Sequence, residues 1–224
     1  RGEIMEKYIT LSYPEMGEKI DAFDKNSKYL IKIVTPKDIC VAFNEYALDF
    51  YNTAHMVASI LLETDHGDIS KLDTYFFPLA FLYRHSIELK LKAIAFQTII
   101  NDNDRSTFIK DTFHNLLELL NTVMTVSSTS RPKEELQWLE EYFSDISKID
   151  KESDSFRYPF HIKLTKTFDY KRFTIERIFD EQTHVDLVKF ANKFEAAYEI
   201  LDKWYMKSLD EATEWKELVP VFIE

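Results

Sequence analysis

The chain has 224 residues, a formal net charge of −11 and a single cysteine, Cys40. The length fits one domain with an accessory element, and the acidic balance argues against broad, non-specific binding to nucleic acid, which needs a basic surface. One cysteine excludes both an internal disulfide framework and a cysteine-based zinc site. Because the sequence has no long apolar run and no signal-peptide pattern, we expect a cytoplasmic protein that does not enter a membrane.

In chain order, the sequence predicts an N-terminal arm at 1–35, a helical bundle at 36–208 and a C-terminal tail at 209–224. Few glycines and prolines favour long regular elements over a turn-rich β fold. The predicted fold class is therefore mainly all-α, an up-and-down bundle of about five helices. These helices are expected at 37–63, from Asp73 or Thr74 to the "IINDND" segment, and at 106–126, 132–147 and 183–208.

A small irregular insertion at about 150–180 interrupts the helical pattern. The segments "HIKLTKTF" and "RFTIERIF" are rich in β-branched and aromatic residues, and "DYK" separates them, which predicts a β-hairpin. The preceding connection, "SFRYPF", is also rich in aromatic residues. If these aromatic side chains pack on the bundle, Arg157 is carried to its surface with them.

The second predicted helix, "YFFPLAFLYRHSIELKLKAIAFQ", carries charges inside an apolar stretch. At about 100° per residue, four of its polar residues share one arc of the helix. These residues are Arg84, His85, Glu88 and Lys92. Ser86, Lys90 and Gln97 lie on the opposite side, which we predict to be the solvated face. The charged ladder, defined as Arg84, Glu88 and Lys92, is therefore predicted to point inward.

Two interpretations of the charged ladder remain open. Its members are i,i+4 neighbours, so they can pair along the helix as a buried structural network. Alternatively, the ladder lines a polar pocket that receives an anion or a nucleotide, with Arg84 and His85 as donors. Two cations against one carboxylate leave spare positive charge, which favours the pocket.

Three separated pieces occur in a fixed order: "RHSIELKLKA", then "HNLLELL", then "SFRYPF". Together they resemble the HEPN superfamily of prokaryotic helical-bundle domains, specifically members with an RHxxExxLK pattern, over residues 40–205. The resemblance implies an up-and-down bundle of four or five helices, which in this superfamily is frequently a homodimer. Many members are ribonucleases of toxin–antitoxin, CRISPR-associated or antiphage systems, and others bind nucleotide or RNA without catalysis.

The resemblance implies two groups of site residues in this chain. The catalytic candidates are Arg84, His85, His114 and Arg157, and the binding candidates are Glu88, Lys92 and Tyr158. The superfamily's catalytic signature is an arginine followed by a histidine after four to six residues. In this sequence the formal match is Arg177 and His184, an alternative pair. No metal and no cofactor are expected, because GxGxxG, Walker, HExxH and CxxC motifs are missing from the sequence.

The expected function is that of an HEPN-like protein of bacterial defence or stress response. It would bind RNA or a nucleotide in a basic interhelical pocket, and whether it also cleaves RNA without a metal stays open at this point. The expected partners are RNA or a nucleotide, a second copy of the chain, and a cognate antitoxin or defence-system protein. The alternative is a non-catalytic dimerisation module in which the charged ladder only fixes the helix register.

Overall fold

The structure is a computed structural model that describes residues 35–64, 69–127, 130–150, 153, 155–158, 160–166, 171–177 and 184–218. In these ranges the chain forms six helices and one β-hairpin, which confirms the mainly helical fold class. The helices are α1 (Ile39–Thr64), α2 (Ile69–Thr98), α3 (Asp102–Thr112), α4 (Leu116–Val126), α5 (Lys133–Ile149) and α6 (Leu187–Leu218), and the strands are β1 (Phe160–Lys166) and β2 (Lys171–Arg177). The predicted arm at 1–35 lies outside the described residues except for Thr35.

Three element boundaries bear on the sequence predictions. Helix α2 begins at Ile69, about one turn before the predicted caps at Asp73 or Thr74. Helix α6 continues to Leu218, so the predicted C-terminal tail begins inside a helix. The two strands pair in antiparallel register from Phe160 opposite Arg177, which confirms the predicted hairpin. Among the described helices, none combines the length and the apolar composition that crossing a membrane requires.

Helix α2 is enclosed by its neighbours α1, α4 and α6. Every residue from Ser86 to Phe96 is at most 8% exposed. The prediction of a solvated face is therefore wrong, because Ser86 and Lys90 are buried and Gln97 is half-buried. The Ser86 hydroxyl instead donates a hydrogen bond to the Tyr83 carbonyl at 2.7 Å. The part of α2 from Ser86 to Phe96 therefore has no face turned to water.

Burial of Lys90 is compensated by partners on the helices to either side. Its Nζ donates to Asn44 Oδ1 on α1 and to Asp202 Oδ1 on α6, the latter at 2.7 Å. The same Nζ lies 4.8 Å from the centre of the Tyr198 ring and 5.2 Å from that of Tyr205. Burial lowers the pKa of Lys90, and its contacts with Asp202 oppose that shift. Lys90 therefore fastens α1, α2 and α6 together.

The single helix predicted at 106–126 is wrong, because residues 113–115 interrupt it and divide it into α3 and α4. Phe113 adopts a φ of 42°, a region that residues other than glycine seldom occupy. Asn115 then caps α4, with its side-chain oxygen accepting hydrogen bonds from two backbone N–H groups of the first turn. His114 lies in this break, and its ring contacts Glu88 on α2.

Candidate functional site

The charged ladder of α2 lies inside the bundle, as the sequence predicts. Arg84, Glu88 and Lys92 are all buried. Lys92 Nζ donates to Glu88 Oε1 at 2.7 Å, and Arg84 Nη1 donates to Glu88 Oε2 at 3.2 Å. Both contacts are the i,i+4 pairs that helical spacing allows. The carboxylate of Glu88 therefore holds a cation on each of its two oxygens.

Asp150, at the end of α5, completes this network and was not among the predicted site residues. Its Oδ2 lies 2.8 Å from Arg84 Nε, an ion-pair distance, although neither atom makes a hydrogen bond of good angle. Burial lowers the pKa of the Arg84 guanidinium, whereas Asp150 and Glu88 oppose that shift. No local pattern points to Asp150, since it lies 66 residues from Arg84 in the sequence. The sequence gives one indirect signal for it: the ladder has two cations and one carboxylate, so a second carboxylate is needed to balance the charge.

The buried charges of this network balance. Arg84 and Lys92 are matched by Glu88 and Asp150, so the prediction of spare positive charge in the ladder is wrong. Arg84 is also 1% exposed, and its second Nη donates to the carbonyl of His114. Arg84 is therefore a structural member of the network, and its guanidinium faces protein groups.

Asp150 also fixes the Arg157 loop, defined as residues 153 and 155–158. Its Oδ1 accepts a hydrogen bond from the backbone N–H of Ser155 at 2.8 Å. Phe156 is buried, and its ring centre lies 6.3 Å from that of Phe76 on α2 and 6.4 Å from that of Phe190 on α6. Aromatic packing and one buried carboxylate thus hold this loop against the bundle.

Two partly exposed histidines, His85 and His114, contact the buried carboxylate of Glu88. His114 Nδ1 lies 2.8 Å from Glu88 Oε1, and His85 Nδ1 lies 3.9 Å from Oε2, an ion-pair separation. The side chains of His85 and His114 are 25% and 40% exposed, whereas that of Glu88 is 1% exposed. One buried carboxylate therefore positions two imidazoles that reach the surface.

Glu88 remains ionised in this setting. Burial alone would raise its pKa, but the hydrogen bonds and charges of His114, His85 and Lys92 outweigh burial and hold the pKa well below its usual range. An ionised carboxylate accepts hydrogen bonds and cannot donate them. His114 Nδ1 must then be the donor of the short contact, which leaves Nε2 on the far side of the ring for other chemistry.

Arg157 and a group of aromatic rings lie next to His85. The rings of Phe81 and His85 are stacked, with centres 5.4 Å apart and an angle of 12° between their planes. The guanidinium carbon of Arg157 lies 5.8 Å from the Phe81 ring centre and 6.0 Å from that of Tyr158. Both Arg157 and Tyr158 are exposed. The structure thus places His85 and Arg157 against the same ring, Phe81, with Tyr158 next to Arg157.

The alternative pair is placed differently. Arg177 is the last residue of β2, so it lies on a strand and not on a helix, and His184 precedes α6. Residues 178–183, which connect the two, lie outside the described residues. The pair is therefore left as a sequence prediction.

Two other features of the described residues bear on ligand binding. A cavity of about 640 Å³ lies between the end of α2 and helices α3 and α4, and none of its lining residues belongs to the charged ladder. In the part of the chain that the structure describes, no three His, Cys, Asp or Glu side chains converge to hold a metal ion. The ladder and its two histidines are thus best described as a surface site over a buried ionic network.

A second histidine–carboxylate contact occurs on another face and offers a natural comparison. His55 Nδ1 on α1 lies 2.8 Å from Glu195 Oε1 on α6, and the Tyr83 hydroxyl donates to the same oxygen at 2.7 Å. His55 is exposed. This contact has the same nitrogen-to-oxygen distance as that of His114, without the charged ladder beneath it.

Comparison with protein-family models, curated proteins and solved structures finds no match to this chain. The relation to the HEPN superfamily therefore stays a prediction based on three pieces of sequence, and function must be argued from the chemistry of the site.

Proposed function

We propose that the protein binds RNA and cleaves it without a metal, with His85 and His114 as the acid–base pair. One observation carries this proposal: a single buried, ionised carboxylate orients two surface imidazoles, and an exposed guanidinium, that of Arg157, lies over the Phe81 ring on which one of them stacks. A pair of imidazoles can supply the general base and the general acid that this reaction needs. The resemblance to HEPN ribonucleases of bacterial defence and stress systems agrees with this chemistry, and it adds a homodimer as the proposed assembly.

The proposed reaction is an internal transfer within the RNA. One histidine takes the proton of a 2′-hydroxyl, and the 2′-oxygen attacks the neighbouring phosphorus. The bond from phosphorus to the 5′-oxygen breaks, and the leaving oxygen takes a proton from the other histidine, which gives a 2′,3′-cyclic phosphate. Arg157 donates hydrogen bonds to the phosphate oxygens as their charge increases.

The buried residues have a supporting role in this proposal. Arg84, Lys92 and Asp150 do not touch RNA, since all are buried in the bundle. Lys92 helps to keep Glu88 ionised, Arg84 pairs with Glu88 and Asp150, and Asp150 fixes the Arg157 loop, so that the surface groups are held in place before the substrate arrives. This assignment differs from the expectation that Arg84 grips phosphate directly.

The test is incubation of the purified protein with a random RNA pool in the presence of EDTA, followed by a denaturing gel. We expect cleavage products that end in a 2′,3′-cyclic phosphate. The same pool with every 2′-hydroxyl methylated should stay intact, because the attacking oxygen is blocked. If the folded protein leaves the unmodified pool intact, or if EDTA abolishes cleavage, the proposal is wrong.

A second candidate is a non-catalytic dimerisation module. The balance of buried charges favours it, because a network in which each charge is paired can serve the fold alone. Exposed apolar side chains on α1, including Val41, Leu48 and Met56, agree with a contact surface. A protein that self-associates in sedimentation and cleaves no RNA would favour this candidate.

A further inference from the structure

We infer that Arg157 and Tyr158 form a stacking platform that takes an unpaired base next to the phosphate at the site, so that the substrate is single-stranded RNA. This inference rests on the proposed function, since it places the RNA beside His85 and His114. It adds a substrate class and a residue, Tyr158, that makes the contact with a base.

The first support is the arrangement of flat groups. The sequence of contacts runs from His85 to Phe81, from Phe81 to Arg157 and from Arg157 to Tyr158, with separations of 5.4, 5.8 and 6.0 Å between ring centres or the guanidinium carbon. Sites for single-stranded nucleic acid combine positive charge with aromatic faces on which bases stack. Arg157 supplies the positive charge and Tyr158 the aromatic face, and both lie next to the turn of α2 that carries Phe81 and His85.

The second support is the way in which the platform is held. Arg157 Nε donates to the carbonyl of Ser153, and Asp150 accepts from the backbone N–H of Ser155. Phe156 is buried between α2 and α6, so the two residues that follow it are carried outward on a fixed base. A ring held in place before binding loses little conformational freedom when a base stacks on it.

The third support is exposure. Tyr158 is 58% exposed, whereas Phe156, two positions earlier, is buried. The described residues 155–158 of this segment thus include an anchor, Phe156, and an outward ring, Tyr158. Bases within a duplex already stack on one another, so an outward ring can stack only on a base that is unpaired.

The site also has the charge pattern that a nucleotide requires. Phosphate contacts come from cationic donors, here Arg157 and either histidine when protonated, and the base contact comes from the tyrosine ring. Because stacking depends on the π-face that every base has, we expect little sequence preference. The low sequence preference fits the platform, because one aromatic ring and one guanidinium do not read the hydrogen-bonding edge of a base.

The experiment measures binding with ligands that cannot be cleaved, so that binding and cleavage are read separately. Fluorescence anisotropy would give Kd for a labelled, fully 2′-O-methylated oligonucleotide of about ten nucleotides, near the site sizes of single-strand binders. The same backbone without bases, and the oligonucleotide annealed to its complement, are the comparison ligands. Variants are Tyr158→Ala and Tyr158→Phe, with Tyr46→Ala on α1 as a control that removes another exposed tyrosine.

We expect the single strand to bind about 5- to 100-fold more tightly than the abasic backbone or the duplex, the range that one stacked base provides. Tyr158→Ala should lose this advantage, whereas Tyr158→Phe and Tyr46→Ala should keep it. Equal binding of the three ligands, or an unchanged Kd in Tyr158→Ala, overturns the platform. If either of these results is found but unmodified RNA is still cleaved, only the platform is wrong and the proposed function stands. If binding depends on bases but no RNA is cleaved, the proposed function is wrong and the platform stands.

Discussion

Replacing Glu88 by glutamine is expected to lower the free energy of unfolding by about 3–5 kcal/mol, the usual cost of removing one partner from a buried ion pair. The side chain keeps its size, but Arg84 and Lys92 lose the negative charge that both contact. The loss would be a large part of the total stability of a domain of this size. Urea unfolding followed by circular dichroism measures it.

Two further variants separate charge from shape. Adding Lys92→Met to Glu88→Gln should recover part of the loss, because Arg84 then remains paired with Asp150. Glu140→Gln on α5 makes the same chemical change at an exposed position, and we expect it to alter stability by less than about 0.5 kcal/mol. A Glu88→Gln protein as stable as Glu140→Gln would show that the network gives no net stabilisation.

The contribution of Glu88 should also depend on pH in a defined direction. Its pKa is lowered in the folded state, whereas an unfolded glutamate titrates near about 4.3. A lowered folded pKa means that the stabilisation is complete above the unfolded value and is lost as the pH falls toward the folded value. The stability difference between the wild type and Glu88→Gln should therefore be constant near neutral pH and shrink below about pH 4.

Replacing His114 by alanine is expected to reduce the rate of RNA cleavage by about 10²- to 10⁴-fold, the range of general acid–base catalysis. The physical reason is the loss of a proton-transfer group that Glu88 holds at 2.8 Å. Adding His85→Ala should cost little more, because two groups that act as a unit are not additive. Single-turnover cleavage of an RNA oligonucleotide measures the rate.

The control is His55→Ala, which removes a histidine held by a carboxylate at the same distance, 2.8 Å, on another face. Its cleavage rate should match that of the wild type. Equal rates for His114→Ala and His55→Ala, in a wild type that cleaves, would remove His114 from the proposed mechanism.

Local patterns in the sequence predict the inward ladder and the hairpin correctly. The i,i+4 spacing of Arg84, Glu88 and Lys92 is visible in one dimension, and so is the pair of β-branched segments around "DYK". Both features depend on residues that are close in the chain. Helix geometry and strand composition are sufficient to predict them.

The features that the sequence predicts poorly depend on distant contacts. The burial of Lys90 follows from Asp202, which lies 112 residues away, and no periodicity within α2 reveals it. Asp150 reaches Arg84 in the same way from the end of α5. The break between α3 and α4 is a different case, because the asparagine of "FHNLLELL" followed by Glu118 is a local capping pattern, and only the interpretation as one helix was wrong.

The enclosure of α2 has a consequence for motion. A helix covered on several sides cannot detach alone, because its departure would uncover three neighbours at once and break the pairs of Lys90 with Asp202 and of Arg84 with Asp150. Its backbone amides are therefore coupled to the cooperative opening of the whole bundle, and partial openings are confined to loops and helix ends. The charged ladder therefore lies on a helix that does not open by itself, and conformational change is left to the loops and helix ends around it.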